Sequence, residues 1–226
     1  MFAEYLKRLT ICILGLAAFS LGNFFGVLAG SAGTNAWNTL ALGISDTSGI
    51  SFGTSTFLIS IAIIIIDIIG KGRLGIGTIF NIFVISALND VFIKVITFIP
   101  PAGSSVIGAF YTLLGQTIIS FATILYLSPA LGAGPRDTLM IIIGNKFPAA
   151  PIGAVKFGIE CGALITGILL GAPFGIGTVL VMVLQASIFQ MVCWICHYEP
   201  RAIVHENLVD TFRRISESAR KESIRK

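Results

Sequence analysis

Four ionisable residues, Arg136, Asp137, Lys156 and Glu160, stand near one another in a stretch of chain that otherwise carries little charge. A charge inside a bilayer is costly unless it is paired or hydrated, so such residues mark either an ion network or a path for a solute or a proton. At 1.5 Å per residue, Glu160 lies roughly 10 Å beyond the start of its apolar segment. Lys156, one helical turn earlier, reaches it along the same face. With Arg136 and Asp137 on the same side, the four form a compact cluster without net charge. One reading is a satisfied network that pins one segment to the next, with Lys156 extending towards water. The other is a gate, in which a carboxylate exchanges Arg136 for a proton or a cationic solute.

A second polar set mirrors the first. Asp90 precedes Lys94 at the favourable i,i+4 spacing, and Asn35 and Asn38 open a separate short segment. As a set, Asn35, Asn38 and Asp90 mirror Arg136, Asp137 and Gln190, which gives one polar cluster for each leaflet. Facing a common axis they make a pathway; facing separate neighbours they only hold helices together. Asp67, one turn before Lys71, reads as structural.

The elements that must position these residues come in two copies. Gly33-Thr34-Asn35-Ala36-Trp37-Asn38-Thr39-Leu40 returns about a hundred residues later as Gly132-Ala133-Gly134-Pro135-Arg136-Asp137-Thr138-Leu139, and Gly75-Ile76-Gly77-Thr78 returns as Gly175-Ile176-Gly177-Thr178. With 55% hydrophobic and 12% charged residues, the chain has too little polar surface for a soluble globule. Six apolar stretches approach the length of a spanning helix: Leu9 to Ser31, Phe52 to Gly70, Ile76 to Phe98, Val106 to Leu127, Ile152 to Gly171 and Ile176 to His197. The first is too long for a signal-peptide core and is followed by similar spans, so it reads as a retained helix.

Basic residues set the orientation. Lys7, Arg8, Lys71, Arg73, Arg136, Lys146 and the basic tail share one side, while the turns at Asp46 to Ser51, Pro100 to Ser105 and Ala172 to Gly175 carry no Lys or Arg. Both termini are therefore expected in the cytoplasm of a bacterial cell, with the chain in its inner membrane. Three spans per unit is an odd number, so the second unit enters the bilayer from the opposite side and the repeats are inverted. The expected architecture is an all-α membrane protein of six transmembrane helices in two inverted three-helix repeats, each with a short half-helix after its first span. The repeats cover residues 1–99 and 100–198, followed by a cytoplasmic amphipathic tail at 199–226.

The half-helices are Asn35 to Ile44 and Pro135 to Gly144. Asn35 is a fitting N-cap, Pro135 suits the first helical position, and the glycines before each allow a sharp turn. Such a helix start presents free N–H groups and a positive dipole end. In lipid it must pack inside the bundle or lie flat at the interface, and Trp37 is a natural interfacial anchor. Gly22, Gly26 and Gly30 in the first span and Gly158, Gly162, Gly167 and Gly171 in the fifth allow close helix approach.

Gly-Pro-Arg-Asp-Thr-Leu in the second unit, the looser Asn-Ala-Trp-Asn-Thr-Leu in the first, and Gly-Ile-Gly-Thr opening the last span of each resemble the YczE-like family of bacterial membrane proteins, related to the YitT-like group. The resemblance covers roughly residues 10 to 195. Where such families tend to carry Asn-Pro-Trp-Asp in the first motif, this chain has Asn35-Ala36-Trp37-Asn38, without the proline or the carboxylate. The resemblance supports the topology more than any particular chemistry.

Enzymatic readings find little support, since the two histidines, His197 and His205, lie at or beyond the end of the last span. No cofactor or metal site is expected. Cys193-Trp194-Ile195-Cys196-His197 matches a haem-attachment string, but it closes the last span on the cytoplasmic side, where covalent haem attachment does not occur. The tail places Ile203, Val204, Leu208, Val209, Phe212 and Ile215 at helical spacing with a modest basic excess, suited to an anionic membrane surface, the bundle or a second copy. Nucleic acid is not indicated. The expected function is a secondary transporter or permease of a small solute, with proton coupling left open; the alternative is a non-transporting membrane regulator or scaffold acting through a partner.

Overall fold

The computed structural model describes residues 2–72, 74–198 and 206–207. Among these the chain forms helices α1 (Phe2–Leu28), α2 (Ala36–Ser48), α3 (Phe52–Ile69), α4 (Ile76–Val95), α5 (Ser105–Leu127), α6 (Pro135–Lys146), α7 (Ile152–Leu169) and α8 (Ile176–Ile195), with a 3-10 turn at Gly30–Ala32. Five of them, α1, α3, α4, α5 and α8, are long and apolar enough to cross a membrane. The stretch expected as the fifth span forms the 18-residue α7, which is not among these five. The amphipathic helix expected at 199–226 lies outside the described residues, apart from Glu206 and Asn207.

Local chemistry explains where the helices start. The Asn35 side chain accepts from the Asn38 N–H at 3.0 Å, that of Ser51 from Thr54 at 3.1 Å and that of Ser104 from Ile107 at 3.3 Å. Each replaces a partner that the first helical turn lacks. At α6 the same problem is avoided, because Pro135 has no N–H to satisfy.

The helices gather at two ends. At one, the Ala102 N–H donates to the Leu28 carbonyl at 2.8 Å. At the other, Arg8 donates to the Pro129 carbonyl at 2.9 Å and to Glu206 at 3.0 Å, while the Gly77 N–H reaches the Leu131 carbonyl at 2.8 Å. In the centre α1 crosses α5 so closely that a Cβ on Gly22 would come within 2.7 Å of the Gly115 carbonyl oxygen. Around this crossing α1 packs on α4 and α5 on α8, while α2 packs on α7 and α6 on α3. Each short helix therefore rests on a long helix from the other half of the chain.

Both short helices lie inside the bundle. The 13 residues of α2 bury Ala36, Asn38, Thr39, Ala41 and Gly43, and the 12 of α6 bury Pro135, Thr138, Leu139 and Ile142. At about 20 Å each they are too short to span. Trp37 packs with Ala36, Ala163 and Leu164 instead of anchoring at a surface.

The Gly-Ile-Gly-Thr turns hold the entrances of these helices crosswise. Thr78 donates its hydroxyl to the Ala133 carbonyl at 2.6 Å, and the chain at Gly132 passes against Gly75. In the other half Gly33 lies against Thr178 and Gly175, and its carbonyl accepts from Thr112 at 2.7 Å. Gly33 has φ +77°, so both its backbone and the missing side chain are needed.

The two halves differ in one respect. Gly53 of α3 is packed against Ser86 and Asp90 of α4, and Phe57 meets Phe83 with ring centroids 5.6 Å apart. Their counterparts stand apart at the start of α7: Gly153 has nothing within 4 Å, and Phe157 is exposed. The start of α3 is thus packed against α4, whereas the start of α7 stands clear of α8; farther along, α7 and α8 meet, where Gln185 bonds Glu160 and Met182 packs on the cluster of Ala36, Ala163 and Leu164. Gly158 and Gly162, expected to bring helices together, likewise face no neighbour, while Gly167 packs against the α2 backbone.

Candidate functional site

Where the short helices meet, their first turns enclose a cavity of about 560 Å³. Asn35, Ala36 and Trp37 line it from α2, and Pro135, Arg136 and Asp137 from α6. The Arg136 guanidinium lies over the Trp37 ring, 4.6 Å from its centroid. These two occupy matching positions in the repeated motif, so the copies touch at equivalent residues. Lys156 and Glu160 enter from α7, and Asn23, Asn81, Gln116 and Tyr126 complete a polar lining.

Each carboxylate in the cavity holds a partner. Asp137 accepts from the Tyr126 hydroxyl at 3.1 Å. Glu160, only 6% exposed, accepts from the Gln185 side-chain amide and faces the Lys156 ammonium at 3.9 Å. Arg136 differs. The ion pairs among the described residues are Arg8–Glu206 and Lys156–Glu160, and no hydrogen bond there engages the guanidinium. An arginine side chain keeps its charge at neutral pH. The cavity thus presents a flat cation backed by an aromatic ring, with its remaining N–H donors available.

Of the residues expected from the sequence, Asn35, Arg136, Asp137, Lys156 and Glu160 come together here. Asn38 lies behind the lining, 2% exposed, with its amide nitrogen unpartnered. Asp90 is elsewhere. It accepts from the Gly53 N–H at 2.7 Å and from the Ser51 hydroxyl, which ties the start of α3 to α4, and it makes no ion pair with Lys94 among the described residues.

Gln190 is exposed on the outer side of α8 beside Met191 and Trp194. The glutamine that reaches Glu160 is Gln185, on the inward stripe with Val181, Phe189 and Val192. That stripe repeats at helical spacing, the signal by which Gln185 could have been found. Asp67 is fully buried, and neither carboxylate oxygen has a hydrogen-bond partner among the described residues. Among the described residues no group of His, Cys, Asp and Glu could hold a metal ion.

Residues 6–193 match the model of a protein family described as "Family of unknown function (DUF6198)". The chain belongs to this family. It is 36% identical over 190 residues to an uncharacterized protein of Haemophilus influenzae, covering 83% of this chain and 84% of that protein. It is also 28% identical over 189 residues to the uncharacterized membrane protein YczE of Bacillus subtilis, covering 83% and 86%. The resemblance carried by the two motifs is thereby confirmed, and the protein is a multi-pass helical membrane protein of the YczE-like family. No solved structure matches the chain.

Proposed function

We propose that this protein is a secondary carrier of a small solute, built as six spans in two inverted repeats, with α7 as the fifth span and both termini in the cytoplasm of a bacterial inner membrane. One observation carries the reading: equivalent ends of the two seams, the start of α3 against α4 and the start of α7 against α8, are in opposite states beside one central polar cavity. The start of α3 is closed on α4 through Asp90, Gly53 and Phe57, while the start of α7 leaves Gly153 and Phe157 free. Inverted halves that exchange these states would open the cavity to one face and then the other. The ends of the bundle support this orientation, since the end towards which the free start of α7 faces is the one with Arg8 and Glu206. In this state the cavity faces the cytoplasm.

The purely structural reading of the charged cluster is weakened by Arg136, because a network that served only to pin helices would engage its one guanidinium. Catalysis is not part of the proposal.

Side-specific labelling tests it. In a cysteine-free background, a single cysteine at Ser60, which lines the cavity from α3, is treated with a membrane-impermeant maleimide in sealed vesicles of either orientation. The carrier reading predicts modification from both faces, with a bifunctional cross-link between Thr54→Cys and Val91→Cys, both at exposed positions, abolishing it from the outside alone. Modification from one face in every condition contradicts the reading.

A further inference from the structure

The solute class follows from which charges in the cavity are already matched. We infer that the cavity takes a small monocarboxylate, its carboxylate held by Arg136 above the Trp37 ring and by the surrounding side-chain amides. The inference rests on the carrier reading for its physiological meaning, but the binding geometry stands by itself. Asp137 and Glu160 each already accept a hydrogen bond, from Tyr126 and Gln185, whereas the guanidinium has none to give its donors to among the described residues. The unmet demand is therefore for an acceptor.

A guanidinium offers a planar fork of N–H groups, which fits the two oxygens of a carboxylate side by side. The ring of Trp37, 4.6 Å from the guanidinium carbon, covers one side of it and takes none of its N–H donors by a hydrogen bond. Asn23, also on the lining and 1% exposed, has an amide oxygen without a donor, so the wall can in addition take one N–H or O–H from the remainder of the solute.

The charge of the solute is limited by the same neighbours. Arg136 and Lys156 balance Asp137 and Glu160, so each negative charge that enters is in excess. One such charge placed on the guanidinium is compensated locally. A second, as on a phosphate monoester, would meet the two carboxylates in a poorly hydrated space. A volume of about 560 Å³ lies within the range of small-molecule sites and admits solutes well beyond acetate.

The test measures binding to the full-length protein in lipid nanodiscs, by calorimetry and by thermal stabilisation. The probes are a series of monocarboxylates from acetate to benzoate, their neutral amides, and inorganic phosphate. At least one acid of the series is expected to bind, at least about tenfold more tightly than its amide and than phosphate. Arg136→Gln is expected to weaken that binding by about tenfold to a hundredfold, and Arg136→Lys by less.

Equal binding of acid and amide, tighter binding of phosphate, no binding across the series, or full retention in Arg136→Gln each overturns the inference. The comparison of acid with amide uses the unaltered protein, so a folding defect in the variants cannot obscure it. The two proposals fail separately. Arg136-dependent binding without two-sided labelling of Ser60→Cys removes the carrier and keeps the carboxylate site; two-sided labelling without carboxylate binding does the reverse.

Discussion

At the scale of single residues, the polar groups of the interior divide into those with partners and those without. Among the described residues, Glu160 and Asp137 are held, Arg136 has an aromatic face beneath it and no hydrogen bond, and the Asp67 carboxylate has no partner. The pairing of Lys156 with Glu160 was legible from their spacing on one helix, since residues four apart share a face. Gln190 was not, because equivalence with Asp90 in the repeat says nothing about which face of its own helix is buried; one hundred degrees of rotation separates it from the stripe that includes Phe189. Asp67 supplies a residue-scale prediction. A carboxylate that is fully buried without a hydrogen bond opposes folding, so Asp67→Asn is expected to leave stability unchanged or to raise it by about 1–3 kcal/mol, read as a higher melting temperature in detergent. A marked loss would show that Asp67 engages a partner in the membrane.

At the scale of elements, the short helices were written plainly in the chain. Asn35 and Pro135 mark their starts because backbone chemistry at a helix N-terminus is local. Their interior position was not written there, since an amphipathic half-helix with a tryptophan suits a membrane surface equally well. What decides the matter is the crosswise clasp, in which the turn before each last span closes on the loop before the other half's short helix.

Glycines test this arrangement because they differ in what surrounds them. Gly33→Ala forces a side chain into a positive-φ position against the Thr178 hydroxyl and is expected to cost about 1–3 kcal/mol. Gly162→Ala, in open space on a helix, is expected to cost nothing or to gain up to about 1 kcal/mol. Thermal melts of the two variants side by side check this, and equal effects would contradict the packing described for the two sites.

At the scale of the whole molecule, the duplicated motifs made two related halves visible, and the basic residues gave the expected orientation. The difference between the halves could not be read in that way. Equivalent helices with similar patterns are packed together at the start of α3 and stand apart at the start of α7, and this is a property of the conformation adopted, not of the hydrophobic pattern. The most direct measurement uses spin labels at two equivalent pairs of exposed positions, Thr54 with Val91 across the α3–α4 seam and Ala154 with Met191 across the α7–α8 seam. Pulsed dipolar distances in nanodiscs are predicted to show a short first pair with a long second pair, together with a second population in which the lengths are exchanged. A single population, with the first pair short and the second long whatever solute is added, would contradict alternation between the halves.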